Sequence, residues 1–104
     1  QGVFFDLMYA NINGWRFNEH KQYTFMRKYK NELLFFVINF DSQLVDVAIN
    51  IPSHAFDFLQ IPQMESYQAV DLMTGAKEEI CLLPYKPTEI AVGAYNGKIL
   101  KITY

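Results

Sequence analysis

The chain has 104 residues, of which 51% are hydrophobic and 16% aromatic, so it predicts one ordered domain with no room for a second core. Its 11 acidic and 9 basic residues give a formal net charge of −2, which argues against the clustered basic surface of a nucleic-acid-binding domain. The single cysteine excludes a disulfide framework, and no stretch approaches the roughly 20 apolar residues of a membrane helix.

Period-two alternation dominates the first half of the chain and predicts strands. Residues 3–9 are apolar apart from one aspartate, and residues 22–29 and 44–51 alternate between apolar and polar side chains. Residues 33–38 form a continuous apolar run, rich in β-forming side chains, that is typical of a central strand covered on both faces.

The only predicted helix is a short turn over residues 53–59. Pro52 ends the preceding strand, and Ser53 is the expected N-cap, because a serine oxygen can accept a hydrogen bond from the first free helical amides.

The second half of the chain predicts strands over residues 67–73, 77–83, 88–95 and 98–104. Asn96-Gly97 predicts a type I′ hairpin turn between the last two, since both central positions of that turn need a positive φ. About eight short strands with regular turn signals indicate an all-β fold, an antiparallel two-sheet sandwich with Greek-key-like connections.

No arrangement of residues predicts catalysis, a cofactor or a metal site. The acidic residues are scattered over turns and strand ends, whereas a glycosidase needs two carboxylates facing each other across a cleft. Asp6 and Asp71 interrupt apolar strands, and we expect each to cap a turn or accept bonds from backbone amides. His20 and His54 lie far apart without further ligands nearby, so no zinc site is expected.

Exposed aromatic side chains are the remaining candidates for binding. Trp15 and Phe17 lie in a polar loop with Tyr23 beside it, a composition that fits contact with a glycan. The alternative is that Trp15 and Phe17 cover the end of the sandwich or dock on a neighbouring domain.

Five segments, in chain order, resemble the C-terminal domain of bacterial α-amylase-family glycoside hydrolases. They are residues 4–11 (FFDLMYAN), 20–28 (HKQYTFMRK), 37–41 (VINFD), 50–56 (NIPSHAF) and 70–75 (VDLMTG). The resemblance covers essentially the whole chain, which also starts within predicted structure and without an initiator Met, as an excised fragment would.

The resemblance implies that residues 1–104 are a single accessory β-sandwich of a larger, α-glucan-active enzyme. Its partner is the catalytic (β/α)₈ barrel of the same parent chain, which carries the catalytic residues in this family, so the fragment is not expected to be an enzyme by itself. The expected barrel interface is Phe4, Phe5, Leu7 and Met8, because this end follows directly from the barrel. Two alternatives remain: a starch- or maltooligosaccharide-binding module, and an immunoglobulin-like adhesion module.

Overall fold

The computed structural model describes residues 3–8, 11, 17–18, 20–84 and 86–103. In these residues the chain forms β1 (Val3–Asp6), β2 (Gln22–Tyr29), β3 (Glu32–Asn39), β4 (Val45–Ile49), α1 (Ser53–Leu59), β5 (Met64–Asp71), β6 (Lys77–Leu82), β7 (Thr88–Val92) and β8 (Asn96–Thr103). The predicted all-β fold of about eight strands and the helix over residues 53–59 are confirmed.

The strands form two antiparallel sheets. The large sheet has the order β1-β2-β3-β8-β5-β6, and the small sheet pairs β4 with β7. Strand β8, the last in the chain, therefore lies between β3 and β5 and closes the centre of the large sheet.

The core lies between the large sheet on one side and the small sheet with α1 on the other. Every second residue of β2 and β3 points into it, as the alternating burial of these strands shows. The side chains that meet there are fully or almost fully buried, and they include Met26, Leu33, Phe35, Val37, Val47, Ile49, Phe56, Leu59, Ile90, Leu100 and Ile102. Removing this apolar surface from water is the main stabilising contribution to the fold.

The start of α1 differs from the sequence prediction by one residue. Pro52 is the N-cap, with an extended backbone and no side-chain cap, and its carbonyl accepts a hydrogen bond from the amide of Ala55 at 3.0 Å. Ser53 is consequently the first helical residue rather than the N-cap. The helix ends at Leu59, and Gln60, whose φ is 55°, is its C-cap. The Lys28 ammonium donates to the Gln60 carbonyl at 3.2 Å, at the helix end where a cation is favoured.

The predicted hairpin at Asn96-Gly97 is wrong. Gly97 lies inside β8 opposite Ile38, and the positive φ of this connection belongs to Tyr95, at 49°. The reason is topological, because β7 pairs with β4 in the small sheet whereas β8 pairs with β3 and β5 in the large one. Residues 93–95 therefore carry the chain from one sheet to the other.

Candidate docking surface

The large sheet has one face turned away from the core, which we call the outer face. In β3 the alternation places Leu34, Phe36 and Ile38 on it, and all three side chains are only half-buried. The continuous apolar run of this strand predicts a cover on both faces, but the described part of the chain supplies a cover for the inner face alone. An uncovered apolar sheet face is unusual in a soluble protein and indicates a contact surface.

The outer face has two chemically different halves. Strands β1, β2, β3 and β8 form the apolar half, whose apolar and aromatic members, by strand register, are Phe4, Tyr23, Phe25, Tyr29, Leu34, Phe36, Ile38 and Ile99. Strands β5 and β6 form the polar half, whose members are Gln68, Val70, Lys77 and Glu79. Within the apolar half, Phe4 keeps 49% and Tyr29 48% of its surface exposed.

The aromatic rings of the apolar half pack on one another. Phe25 and Phe36 are stacked with their centroids 4.4 Å apart and their planes 9° from parallel. Phe4 and Tyr23 pack on Phe25 at 5.2 Å and 5.4 Å in tilted arrangements. Rings whose faces contact each other present mainly their edges to the outside, whereas a sugar ring stacks on an open aromatic face. This geometry suits an apolar protein surface better than a glycan.

The apolar half is large enough for a domain interface. Four strands at about 4.8 Å spacing, over six residues at about 3.3 Å each, span roughly 400 Å². Interfaces between domains of one chain bury about 600–1,500 Å² summed over both sides. One side of such an interface therefore matches the apolar half.

The structure separates the four residues expected at the barrel interface. Phe4 lies on the outer face, whereas Phe5 points to the opposite side of β1 and packs near His54 and Phe58, at centroid distances of 5.4 Å and 5.7 Å. Leu7 has no exposed surface, and its side chain belongs to the core of this domain.

Met8, the fourth of these residues, is half-buried and packs against the core, and its sulfur accepts a hydrogen bond from the amide of Thr24 at 3.4 Å. The Met8 side chain therefore makes its contacts mainly within this domain. The sequence-based expectation followed the chain end and did not include Phe25 and Phe36 of the outer face. The signal that could have found them is the uninterrupted apolar run of β3 next to the aromatic positions of β2.

The three candidate glycan contacts also fall in different places. Phe17 is only 5% exposed and lies in the core, which leaves its ring little surface for a glycan. Tyr23 is half-buried on the outer face against Phe25. Trp15 lies outside the described residues.

The described residues contain neither a cluster of metal-ligating side chains nor a membrane-spanning helix. They contain no group of three or more His, Cys, Asp or Glu side chains that could hold a metal ion. None of the helices among them has the length and apolar character needed to traverse a bilayer. Asp6 and Asp71 accept bonds from the amides of Met8 and Met73 at 2.8 Å and 2.9 Å, which confirms their predicted role in turns.

Comparison with known proteins gives matches among solved structures only. No family model matches the chain, and no curated protein matches it. The α-amylase of Geobacillus thermoleovorans, solved with acarbose, matches all of this chain with a TM-score of 0.63 at 13% identity. An Anoxybacillus α-amylase matches 99% of it with a TM-score of 0.59 at 14% identity. AmyP, solved with maltose, matches 81% of it with a TM-score of 0.52 at 17% identity.

The coverage of these matches is strongly asymmetric. This chain spans 19%, 18% and 14% of the three matched chains, respectively. Identities this low show a shared fold alone. The β-sandwich described above is therefore a fold that also forms a small part of larger amylase chains.

Proposed function

We propose that this chain is the C-terminal accessory domain of an α-amylase-type glycoside hydrolase, and that its outer face packs against and stabilises the catalytic (β/α)₈ barrel. The observation that carries the proposal is the uncovered apolar half of the outer face. Its support from outside the chain is the likeness to amylases of which the fold occupies less than a fifth. In this proposal the catalytic carboxylates belong to the barrel, and this domain contributes none.

The physical basis of the stabilisation is burial of apolar surface. Side chains such as Phe36 and Ile38 are half-buried by their neighbours on the sheet, and a second domain would remove the rest of their surface from water. Because unfolding of the barrel would expose this surface again, the interface would raise the stability of both domains together.

The natural full-length protein tests the proposal. We expect its sequence to carry a (β/α)₈ pattern ahead of this domain, and we expect Phe4→Asp to lower the temperature at which glycosidase activity is lost by several degrees. Gln68→Asp is the matched control, because it places the same charge on the polar half of the same face. The absence of a barrel, or equal inactivation temperatures for the two variants, would contradict the proposal.

The alternative of a starch- or maltooligosaccharide-binding module has less support. Of its expected contacts, Phe17 is buried and Tyr23 packs against Phe25. Retention of the chain on starch, together with its loss in Trp15→Ala, would revive this alternative. If the chain is not retained on starch at all, docking is the one of these two functions that still has support.

A further inference from the structure

Two cations lie on the apolar half of the outer face, Arg27 on β2 and Lys101 on β8. Arg27 sits in β2 with Phe4 opposite it in β1 and Leu34 opposite it in β3. Along its own strand, the neighbours on the same face are Phe25 and Tyr29, two residues away on either side. The guanidinium group therefore emerges from a ring of apolar and aromatic side chains.

The charge of Arg27 is not matched by any described residue, since its side chain forms no ion pair or hydrogen bond with them. The other charges of the apolar strands are already engaged. Lys101 pairs with Glu32 at 3.4 Å, and the carboxylate of Asp6 accepts the amide of Met8 at 2.8 Å. Among the described charged side chains of this half, Arg27 is thus the one without an ion pair or hydrogen bond.

A shallow cavity lies beside this charge. It measures about 160 Å³ and is lined by Arg27, Lys28, Tyr29, Glu32 and Leu34. Since one water molecule takes up about 30 Å³, the cavity has room for an inserted side chain of several heavy atoms.

The cost of burying the Arg27 charge determines which group of a covering domain can occupy the cavity. An apolar cover laid over the outer face would strip water from the guanidinium group, and an unpaired buried charge is strongly destabilising. A carboxylate is the group that matches the planar donor fork of arginine, with two parallel hydrogen bonds. A cover without such a group would be disfavoured at this position.

We propose that Arg27 is the charged anchor of the docking surface, and that it pairs with an Asp or Glu carboxylate on the domain that covers the apolar half. This inference rests on the proposed docking function and adds the chemistry of the partner surface, which is apolar with one acid inserted beside Tyr29 and Leu34. The pair fixes the register of the two domains, because it can form in one relative position only.

Hydrogen exchange of the natural full-length protein tests the anchor. We expect Arg27→Gln to raise the exchange rate of the β2 and β3 amides by about tenfold, and Arg27→Glu to raise it further, since a lost charge-assisted bond corresponds to about that factor. Arg27→Lys keeps the charge but not the fork, so it should fall between wild type and Arg27→Gln. Lys77→Glu is the control, because it changes a charge on the polar half of the same face.

The outcomes separate this inference from the function on which it rests. If Phe4→Asp destabilises the assembly while every Arg27 variant behaves like Lys77→Glu, the docking function stands and the anchor is wrong. If neither Phe4→Asp nor the Arg27 variants have an effect, both proposals fail. Replacing the partner acid by Arg in the Arg27→Glu background should restore wild-type protection, and failure of every such exchange would overturn the carboxylate pair.

Discussion

The side chain of Asn11 hydrogen-bonds both backbone groups of Asn50, donating to its carbonyl at 3.0 Å and accepting from its amide at 2.7 Å. Asn11 is fully buried, and its amide group also donates to the carbonyl of Leu7 at 2.7 Å. These bonds join the segment after β1, in the large sheet, to the end of β4, in the small sheet. They replace strand pairing where the two sheets meet.

Replacing Asn11 by Ala should lower the free energy of unfolding by about 2–3 kcal/mol, because buried backbone groups would lose their partners. Chemical denaturation measures this change. Asn18→Ala is the control, since Asn18 is exposed and its side chain accepts one local bond, from the amide of His20. Its cost should stay below about 1 kcal/mol, and equal costs for the two variants would contradict the bridging role of Asn11.

A second buried asparagine connects the sheets at the other end of the sandwich. The Asn39 oxygen accepts from the Gln22 side chain at 3.0 Å, and its amide nitrogen donates to the carbonyls of Gln43 and Gly93 at 3.0 Å and 3.1 Å. Asn39→Asp should therefore cost about 3 kcal/mol or more, because a carboxylate oxygen would face two carbonyl oxygens.

The same isosteric change at an exposed position provides the comparison for Asn39. Asn31 lies in the exposed turn between β2 and β3, so Asn31→Asp should change the unfolding midpoint very little. A mild effect of Asn39→Asp, close to that of Asn31→Asp, would show that the hydrogen bonds of Asn39 do not hold the two sheets together.

Local patterning predicts the elements of this fold well. The observed bounds of β2 and α1 are the predicted ones, residues 22–29 and 53–59, because alternation and a helix stop are properties of neighbouring residues. Sheet membership is a different matter, since it depends on pairing between distant segments. Nothing in residues 88–103 alone indicates that β7 and β8 join different sheets, so a strong hairpin dipeptide gave the wrong turn.

The candidate site was harder to predict than the fold. Alternation in β3 separates two faces, but both faces are apolar, and the sequence does not indicate which one the small sheet covers. Chain proximity assigned Leu7 to the interface, whereas packing buries it in the core. The unmatched charge of Arg27 becomes visible only when the partners of the neighbouring ions are known.

The uncovered outer face should make the isolated chain self-associate at high concentration. Phe4→Thr should weaken this association, measured by sedimentation, because it removes the most exposed phenylalanine of the apolar half. Phe58→Gln is the control, since Phe58 is 59% exposed but lies on α1, away from the outer face. Equal effects of the two changes would indicate general stickiness rather than a defined surface.

Substitution of Gly97 can distinguish the observed connection from the hairpin suggested by Asn96-Gly97, with Gly75 as a reference position that has a positive φ. Gly97 lies in β8 without a positive φ, and an added Cβ would meet Val37 and Ile38 atoms at ordinary contact distances of 3.5–4.0 Å. Gly97→Ala should therefore raise the free energy of unfolding by about 0.5–1 kcal/mol, since glycine is costly inside a strand.

Gly75 has the opposite geometry, with a φ of +81° and no atom within 4 Å of an added Cβ. Gly75→Ala should therefore lower the free energy of unfolding by about 1–2 kcal/mol, through backbone strain alone. Thermal or denaturant unfolding of the two variants decides the point. If Gly97→Ala destabilises the domain as Gly75→Ala does, Gly97 occupies a left-handed turn position, and the crossing from β7 to the large sheet is wrong.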